Sequence, residues 1–248
     1  MFAYQQTRGA VDVAFTDRHG GVSQGSFASL NLAQTSDDDA AAIAENMRLA
    51  VGAFTSTSDT GSGTPNVVRM HQVHGGDVTT VDRAMLRSGA VPESDGLVTS
   101  TGGVVLMVRV ADCVPVLLAD VDAGVVGAAH AGRPGLVAGV VPATVARMRD
   151  LGARDLVAWI GPYVCGRCYE VPHSMRADVS AVVPEAYAET SWGTPAVDVG
   201  AGVRAQLAAE GVEVVDASRC TREDDDLYSY RRQGAEAGRM AGLVWVRP

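Results

Sequence analysis

Three apolar segments follow one another in the middle of the chain, and only short turns separate them. Short valine-rich runs of this kind predict β-strands in the core of the protein. Because short turns favour antiparallel pairing, a purely parallel sheet with helical crossovers is not expected. Arg109 and Asp112 interrupt the most apolar stretch, which is also too short to cross a bilayer as a helix. The three predicted strands occupy residues 104–110, 114–120 and 124–130.

The rest of the chain alternates between β-rich runs and amphipathic segments with helical spacing. We expect an α+β fold, built as a single domain over residues 1–248 with mixed, largely antiparallel sheets. The low-complexity sequence TSTSDTGSGTPN, residues 55–66, predicts a mobile loop. Six further strands are predicted at residues 11–15, 67–71, 77–81, 156–161, 212–215 and 243–246, and four helices near residues 36–54, 135–152, 174–183 and 198–211.

The charged residues limit the chemistry that the chain can perform. All 20 of its Lys and Arg residues are arginine, which excludes Schiff-base and pyridoxal enzymes and a Walker-A phosphate loop. The formal net charge of −9 argues against binding to nucleic acid or to an anionic membrane, so we expect a small-molecule partner. The N-terminal residues lack the features of a secretory signal, and we therefore expect a cytoplasmic protein. We also expect a monomer.

The second and third apolar segments predict a β-hairpin around the turn at residues 121–123. If Ala119 lies roughly opposite Val125, Cys113 comes close to His130, with side chains about 5 Å apart. The sequence HQVHG supplies a further imidazole, from either His71 or His74. In a strand, two residues three positions apart point to opposite faces, so only one of these histidines is expected to join.

One cysteine and two histidines form a ligand set suited to zinc, and three protein ligands leave a fourth position open, as in a catalytic site. A buried cysteine beside a hydrogen-bonded core histidine would produce the same spacing. Five histidines are too few for the several copper centres of a multicopper oxidase, so copper is the less favoured alternative.

The sequence AGRPG directly after His130 predicts a tight strand-to-helix turn. The guanidinium of Arg133 and a helix N-terminus could hold a phosphate or a carboxylate there, although glycine-rich turns are also common structural connections.

Other motifs carry weaker signals. Cys165 and Cys168 form a C-x-x-C, which suits a redox pair or half of a zinc site, but no second pair exists to complete a structural zinc site. His19 is expected in a solvated turn and His173 at a helix cap. The acidic run at residues 223–226 is expected on a solvated face.

Nine short blocks along the chain resemble one family, once called multicopper polyphenol oxidoreductases or laccases and now regarded as zinc-dependent purine nucleoside phosphorylases. The resemblance runs nearly end to end. The blocks, in the family's order, are TDRHGGVSQGSFASLNLA, HQVHG, ESDGLVT, ADCVPVLLAD, GAAHAG, IGPYV, YEV, CT and YSYRR.

The resemblance implies a layered α/β/β/α arrangement and a metal site formed by His74, Cys113 and His130. It implies a transferase that cleaves adenosine, inosine, guanosine and methylthioadenosine with phosphate, and a hydrolase that deaminates adenosine. Its partners would be purine nucleosides and phosphate. Members of the family have also been linked to peptidoglycan editing.

The chain departs from the family's pattern beside this site. In place of A-G-W-R-G it has Arg133 at the usual tryptophan and Pro134 at the usual arginine. In place of E-N-R on the first helix it has Met47 after Asn46, and Arg48 is displaced by about 100° around the helix. Arg133 is our candidate for binding phosphate, and Asn46 and Arg48 are weaker candidates for substrate contacts.

Our leading hypothesis is a zinc enzyme that acts on purine nucleosides, with Cys113 and His130 at the reaction centre. A second hypothesis makes Cys113 the nucleophile of a cysteine hydrolase, with His130 as its base. A third is a metal-holding interaction protein that serves cell-wall editing. Copper-dependent phenol oxidation is disfavoured by the histidine count.

Overall fold

A computed structural model describes residues 1–33, 36–56 and 65–247. Within these ranges it contains thirteen strands and seven α-helices. The strands are β1 (Phe2–Arg8), β2 (Val11–Thr16), β3 (Asn66–Val68), β4 (Val78–Thr80), β5 (Gly96–Thr99), β6 (Val104–Val110), β7 (Val114–Asp120), β8 (Val125–Ala131), β9 (Val157–Ile160), β10 (Tyr187–Glu189), β11 (Pro195–Val197), β12 (Glu213–Asp216) and β13 (Met240–Val246). The helices are α1 (Ala40–Thr55), α2 (Arg83–Ser88), α3 (Arg133–Ala138), α4 (Val140–Asp150), α5 (His173–Val182), α6 (Val199–Ala209) and α7 (Tyr230–Gln233).

Two large sheets face each other and enclose the central core. One has the strand order β1-β2-β13-β6-β3 and the other the order β12-β9-β7-β8-β5-β4. Apolar side chains from both, including Leu106, Leu117 and Trp159, fill the space between them. Strands covered on both faces need continuous apolar sequence, which is why β6, β7 and β8 are buried along their whole length.

Helices cover the outer faces of both sheets. Phe54 of α1 packs on the five-stranded sheet, against Leu243 and Trp245. Val145 of α4 and Val203 of α6 belong to the cluster on the outer face of the six-stranded sheet. The layers are therefore helix, sheet, sheet and helices, which confirms the predicted fold class and the layered arrangement. Among the described residues, none of the helices has the length and apolar content that crossing a membrane requires.

The expected pairing of three consecutive strands is only half right. β7 and β8 form the predicted antiparallel hairpin, but β6 lies in the other sheet, between β13 and β3. The three residues between β6 and β7 cross from one sheet to the other, and Asp112 takes a positive φ of 88° there. Cys113 therefore lies at the crossing between the sheets.

The register of the hairpin differs from the prediction by one residue. Ala119 pairs with Val126, because Gly124, with a positive φ, belongs to a four-residue turn. The carboxylate of Asp120 accepts hydrogen bonds from two backbone amides of this turn and fixes its length. His130 consequently pairs with Pro115 and shares a face with Cys113, two residues earlier.

The predicted helix at residues 135–152 is two helices. Gly139 has a φ of 77°, which ends α3 and starts α4. All nine predicted strands occur, and none of their ends differs from the expected position by more than three residues, whereas β1, β5, β10, β11, α2 and α7 were not predicted. Residues 57–64 of the predicted mobile loop lie outside the described residues.

Candidate metal centre and its cavity

Three side chains that are far apart in the sequence converge at one end of the space between the sheets. His74 lies in the loop after β3, Cys113 in the crossing segment, and His130 near the end of β8. One ligand atom from each side chain lies within 4.8 Å of the other two. The thiol sulfur of Cys113 is 3.8 Å from Nε2 of His74, and the two imidazole rings meet edge to face with centroids 4.8 Å apart.

A buried carboxylate, Asp95, positions both histidines. Its side chain accepts hydrogen bonds from the backbone amides of Val73, His74 and Gly75, at 3.2, 3.0 and 2.6 Å. Its Oδ1 also lies 2.7 Å from Nδ1 of His130. A carboxylate that holds one ring nitrogen of a histidine leaves the other free to bind a metal, which is the usual arrangement behind metal-binding histidines.

The backbone around the three side chains is shaped to bring them together. His74 has a φ of 62°. In the described part of the chain, His74 and Asp112 are the two non-glycine residues with a positive φ. A Cβ atom at Gly132 would lie 2.7 Å from the ring of His74 and 3.1 Å from the sulfur of Cys113. Only glycine can therefore occupy this position without displacing the ligand atoms.

The charges of the site favour a thiolate. Burial opposes ionisation of Cys113, but the charge of His130 and hydrogen bonds from both histidines outweigh it and lower the pKa of Cys113 to about 6. Burial likewise opposes protonation of His130, but the Cys113 charge and the bond to Asp95 raise the pKa of His130. A thiolate and two imidazoles suit zinc in chemistry and in spacing, so the donor set fits this ion.

The three side chains face a cavity of about 650 Å³. Four arginines line it: Arg109, Arg133, Arg231 and Arg239. Arg109 is buried at the end of β6, where burial and repulsion by Arg69 and Arg239 lower the pKa of Arg109 to about 10. The guanidinium of Arg231 lies 4.6 Å from the ring centre of Tyr169, another lining residue. The cavity therefore offers an anion several positive charges beside the candidate metal ligands.

The sequence-predicted contacts do not all reach this cavity. Arg133 lines it as the first residue of α3, so the turn and arginine lie where we predicted. Asn46 is buried on α1, where it bonds the amide of Val22, the hydroxyl of Ser23 and a backbone carbonyl. Arg48 is exposed and pairs with Glu45. Neither Asn46 nor Arg48 lines the cavity, so the structure does not bring them together with the metal-ligand set, and their role as substrate contacts stays a prediction.

Sequence reasoning missed several residues of the site. Asp95 has no role in the prediction from sequence. It directly precedes the apolar run GLVT, and a carboxylate so close to a buried strand is costly unless it is paired, which is the signal that could have identified it. Arg109 interrupts an apolar strand and could have been singled out for the same reason. His71 also lines the cavity, because β3 ends at Val68 and both histidines lie in the loop beyond it, not in a strand.

Known proteins resemble the chain over its whole length. The model of the family described as multi-copper polyphenol oxidoreductase laccase matches residues 12–247. The chain belongs to this family. A protein of Streptomyces coelicolor named purine nucleoside phosphorylase is 51% identical over 99% of this chain and 100% of its own length. A protein of Corynebacterium glutamicum with the same name is 46% identical over 94% of this chain and 93% of its own.

Solved structures share the fold of this family member. A crystal structure of a Neisseria meningitidis protein matches with a TM-score of 0.83 and 33% identity, over 97% of this chain and 96% of that one. The structure of YlmD from Geobacillus stearothermophilus matches with a TM-score of 0.82 and 29% identity, over 100% and 99% of the two chains.

Proposed function

We propose that this family member is a purine nucleoside phosphorylase whose reaction centre is the cavity beside His74, Cys113 and His130. The observation that carries the proposal is the convergence of this ligand set and several arginines on one cavity. The two relatives that bear the enzyme's name cover 99% and 94% of the chain, which supports the same conclusion. The cavity volume also suits a small molecule, since such sites occupy about 300–1,000 Å³.

We further propose that the metal is zinc, held by His74, Cys113 and His130. Copper is the less favoured alternative, because a multicopper oxidase needs several copper centres and the described residues hold no other histidine-rich group. Zinc at this position would supply a Lewis acid to a substrate oxygen or nitrogen. Asp95 keeps His130 oriented with its second ring nitrogen toward the site and fixes the loop that carries His74.

The chain's own residues bind and orient the reactants. In phosphorolysis an oxygen of phosphate attacks the anomeric carbon, the bond to the purine breaks, and the purine takes up a proton. The guanidinium of Arg133 makes no hydrogen bond or ion pair with any described residue, so it is available to phosphate. Arg231 and Arg239 add positive charge on other parts of the cavity lining. A charge-assisted pair with phosphate would place the nucleophile.

Several finer points belong to the same proposal. We propose adenosine, inosine, guanosine and methylthioadenosine as substrates, and deamination of adenosine as a second reaction at the same centre. These rest on the family resemblance. The four free cysteines suit a reducing compartment, which supports a cytoplasmic location.

The test is hypoxanthine release from inosine, with ribose 1-phosphate measured as the second product. We expect turnover that requires phosphate and falls to background in Cys113→Ala and after chelation, with recovery when zinc returns. Hypoxanthine release at the same rate without phosphate would show hydrolysis and refute phosphorolysis. Ammonia release from adenosine tests the deaminase activity separately.

A second candidate function is a cysteine hydrolase. The lowered pKa of Cys113 beside His130 favours it, because a thiolate next to an imidazole is an activated nucleophile. Metal content separates the two: a metal-free protein that is fully active and is inactivated by alkylation of Cys113 would establish the hydrolase. Zinc binding without turnover of any nucleoside would instead support a metal-holding interaction protein.

A further inference from the structure

A second group of metal-ligating side chains lies away from the cavity centre. Cys165 and Cys168 belong to the turn after β9, and Cys220 and Glu223 to the loop after β12. One ligand atom of each lies within 4.8 Å of the other three, and the Cys168 sulfur is 3.3 Å from an oxygen of Glu223. The sequence offered only the C-x-x-C pair, and the parallel pairing of β9 with β12 supplies the rest.

Backbone hydrogen bonds hold both segments in place. The amides of Cys168 and Tyr169 donate to the carbonyl of Cys165, at 2.9 and 3.0 Å. The amide of Thr221 donates to Tyr163 at 3.0 Å, which ties the second loop to the segment leading to the first. The guanidinium of Arg232 donates to the carbonyls of Thr221, Arg222 and Asp224. The loops therefore present their side chains to one point without relying on bonds among those side chains.

We propose that Cys165, Cys168, Cys220 and Glu223 bind a structural zinc ion. Thiolates are preferred zinc ligands, a carboxylate oxygen is an accepted fourth, and four protein ligands close the coordination sphere. With Zn–S bonds of about 2.3 Å, tetrahedral geometry needs sulfurs about 3.8 Å apart, so the ligand atoms must approach by no more than about 1 Å. Binding would replace the protons of the three thiols with one divalent ion.

The position of this group connects it to the first site. The hydroxyl of Thr221, the residue after Cys220, donates to Asp112 at 2.6 Å, and the amide of Val164, the residue before Cys165, donates to the Asp112 carbonyl at 3.0 Å. Asp112 directly precedes Cys113. An ion that joins the two loops would therefore hold the segment that carries Cys113. This role does not depend on which reaction the cavity performs.

The first experiment counts zinc per chain by elemental analysis of the full-length protein prepared under reducing conditions. We expect two ions in the wild type, one in Cys165→Ser/Cys220→Ser and one in Cys113→Ser. Asp225→Asn, which changes a fully exposed neighbour in the same acidic loop, is the matched control and should retain two. One ion in the wild type, lost in Cys113→Ser and unchanged in the double variant, would overturn the proposal.

A second measurement needs no variant to fold. In the zinc-loaded wild type we expect Cys165 and Cys220, which are partly exposed, to resist alkylation until a chelator removes the ion. Equal labelling before and after chelation would contradict the proposal. The mass of the protein without reductant gives a further check. A mass lower by two hydrogens, mapped to these cysteines, would also contradict the proposal, because it would show a disulfide in place of a metal site.

Discussion

The two clusters of metal-ligating side chains differ in what surrounds their cysteines. At the cavity, two imidazoles flank one thiol, and the charge of His130 lowers the pKa of Cys113. In the second cluster thiols and a carboxylate face each other. Burial and the neighbouring Cys220 raise the pKa of Cys165, and burial and Glu223 raise that of Cys168. A thiolate therefore forms readily in the first cluster, whereas the second needs a cation to ionise fully.

The two clusters also differ in the number of their ligands and in the residues around them. The first cluster has three candidate ligands and opens on a cavity lined by arginines, which leaves space beside it for a small molecule. The second has four ligands and leaves no open position. The arginines near it are engaged by its own loops, as Arg219 is by Asp224 and Asp226. One fold thus places a site suited to chemistry and a site suited to structure at the ends of neighbouring strands.

Removing the carboxylate behind the first cluster should separate the two sites most strongly. In Asp95→Asn we expect zinc affinity and activity at the first site to fall about 10–100-fold, as for other partners of metal-binding histidines. The amide group cannot accept all the bonds that three backbone N–H groups and His130 now direct at Asp95. Zinc competition against a chromogenic chelator measures the affinity.

The control for this variant is Asp77→Asn, which changes an exposed carboxylate close to the same loop. It should leave both affinities unchanged, and Asp95→Asn should leave the second ion in place. Loss of both ions together in Asp95→Asn would show that the two clusters do not form independent sites.

The next largest effect is expected for Arg133, the cavity arginine that we propose binds phosphate. In Arg133→Ala we expect the KM for phosphate to rise about 10–100-fold, the usual contribution of a charge-assisted hydrogen bond, with the KM for inosine little changed. Arg147 is an exposed residue of α4 that pairs with Asp150 at 3.7 Å and does not line the cavity, so Arg147→Ala is the matched control and should not alter either KM. An unchanged phosphate KM in Arg133→Ala would remove Arg133 from the anion site.

The sequence was sufficient to predict most strands of the core, although the buried strand β5 was missed. The bounds of β6 and β7 were predicted correctly, because a continuous apolar run leaves a strand buried on both faces as the simplest interpretation. It could not show that β6 and β7 lie in different sheets. That depends on the positive φ of Asp112, which Thr221 and the amide of Arg231 stabilise from a distant part of the chain.

The candidate site was predictable only in part. The hairpin brought Cys113 near His130, but it took the family resemblance to favour His74 over His71. Asp95 was missed because its three amide partners lie in a loop that the sequence alone cannot place against β5. The acidic run is largely solvated, as expected, and Glu223 itself is exposed. The sequence could not show that Glu223 also contacts Cys168, because this contact depends on the parallel pairing of β9 with β12, which brings the following loops together.

Alkylation of the metal-free protein should distinguish the two clusters by their pH profiles. The rate at Cys113 should reach its plateau within about one unit above pH 6, because its thiol is then largely ionised. The rate at Cys165 should still be rising at pH 9, since the pKa of Cys165 is raised from 9.0. At pH 7 we expect labelling at Cys113 to be several-fold faster, read by mass spectrometry. Similar profiles at both residues would contradict the electrostatic contrast.

The smallest effect concerns the link between the clusters. Thr221→Val removes the hydroxyl that donates to Asp112 and keeps the side-chain volume. We expect kcat/KM to fall about threefold to tenfold, less than the full contribution of a hydrogen bond to a charged group, because the bond acts on Cys113 only through Asp112. Thr7→Val is the matched control, because its hydroxyl also donates to an aspartate at 2.6 Å but far from both sites. It should leave kcat/KM unchanged.

Combining this change with the loss of the second ion tests whether the coupling runs through Asp112. If zinc at Cys165 and Cys220 supports Cys113 through Thr221, then Cys165→Ser/Cys220→Ser should reduce kcat/KM less in the Thr221→Val background than in the wild type. If the double variant instead reduces kcat/KM by the same factor in both backgrounds, the coupling between the two clusters does not run through Thr221. The other connection is the bond from the amide of Val164 to the Asp112 carbonyl, which side-chain substitution at residue 221 does not touch.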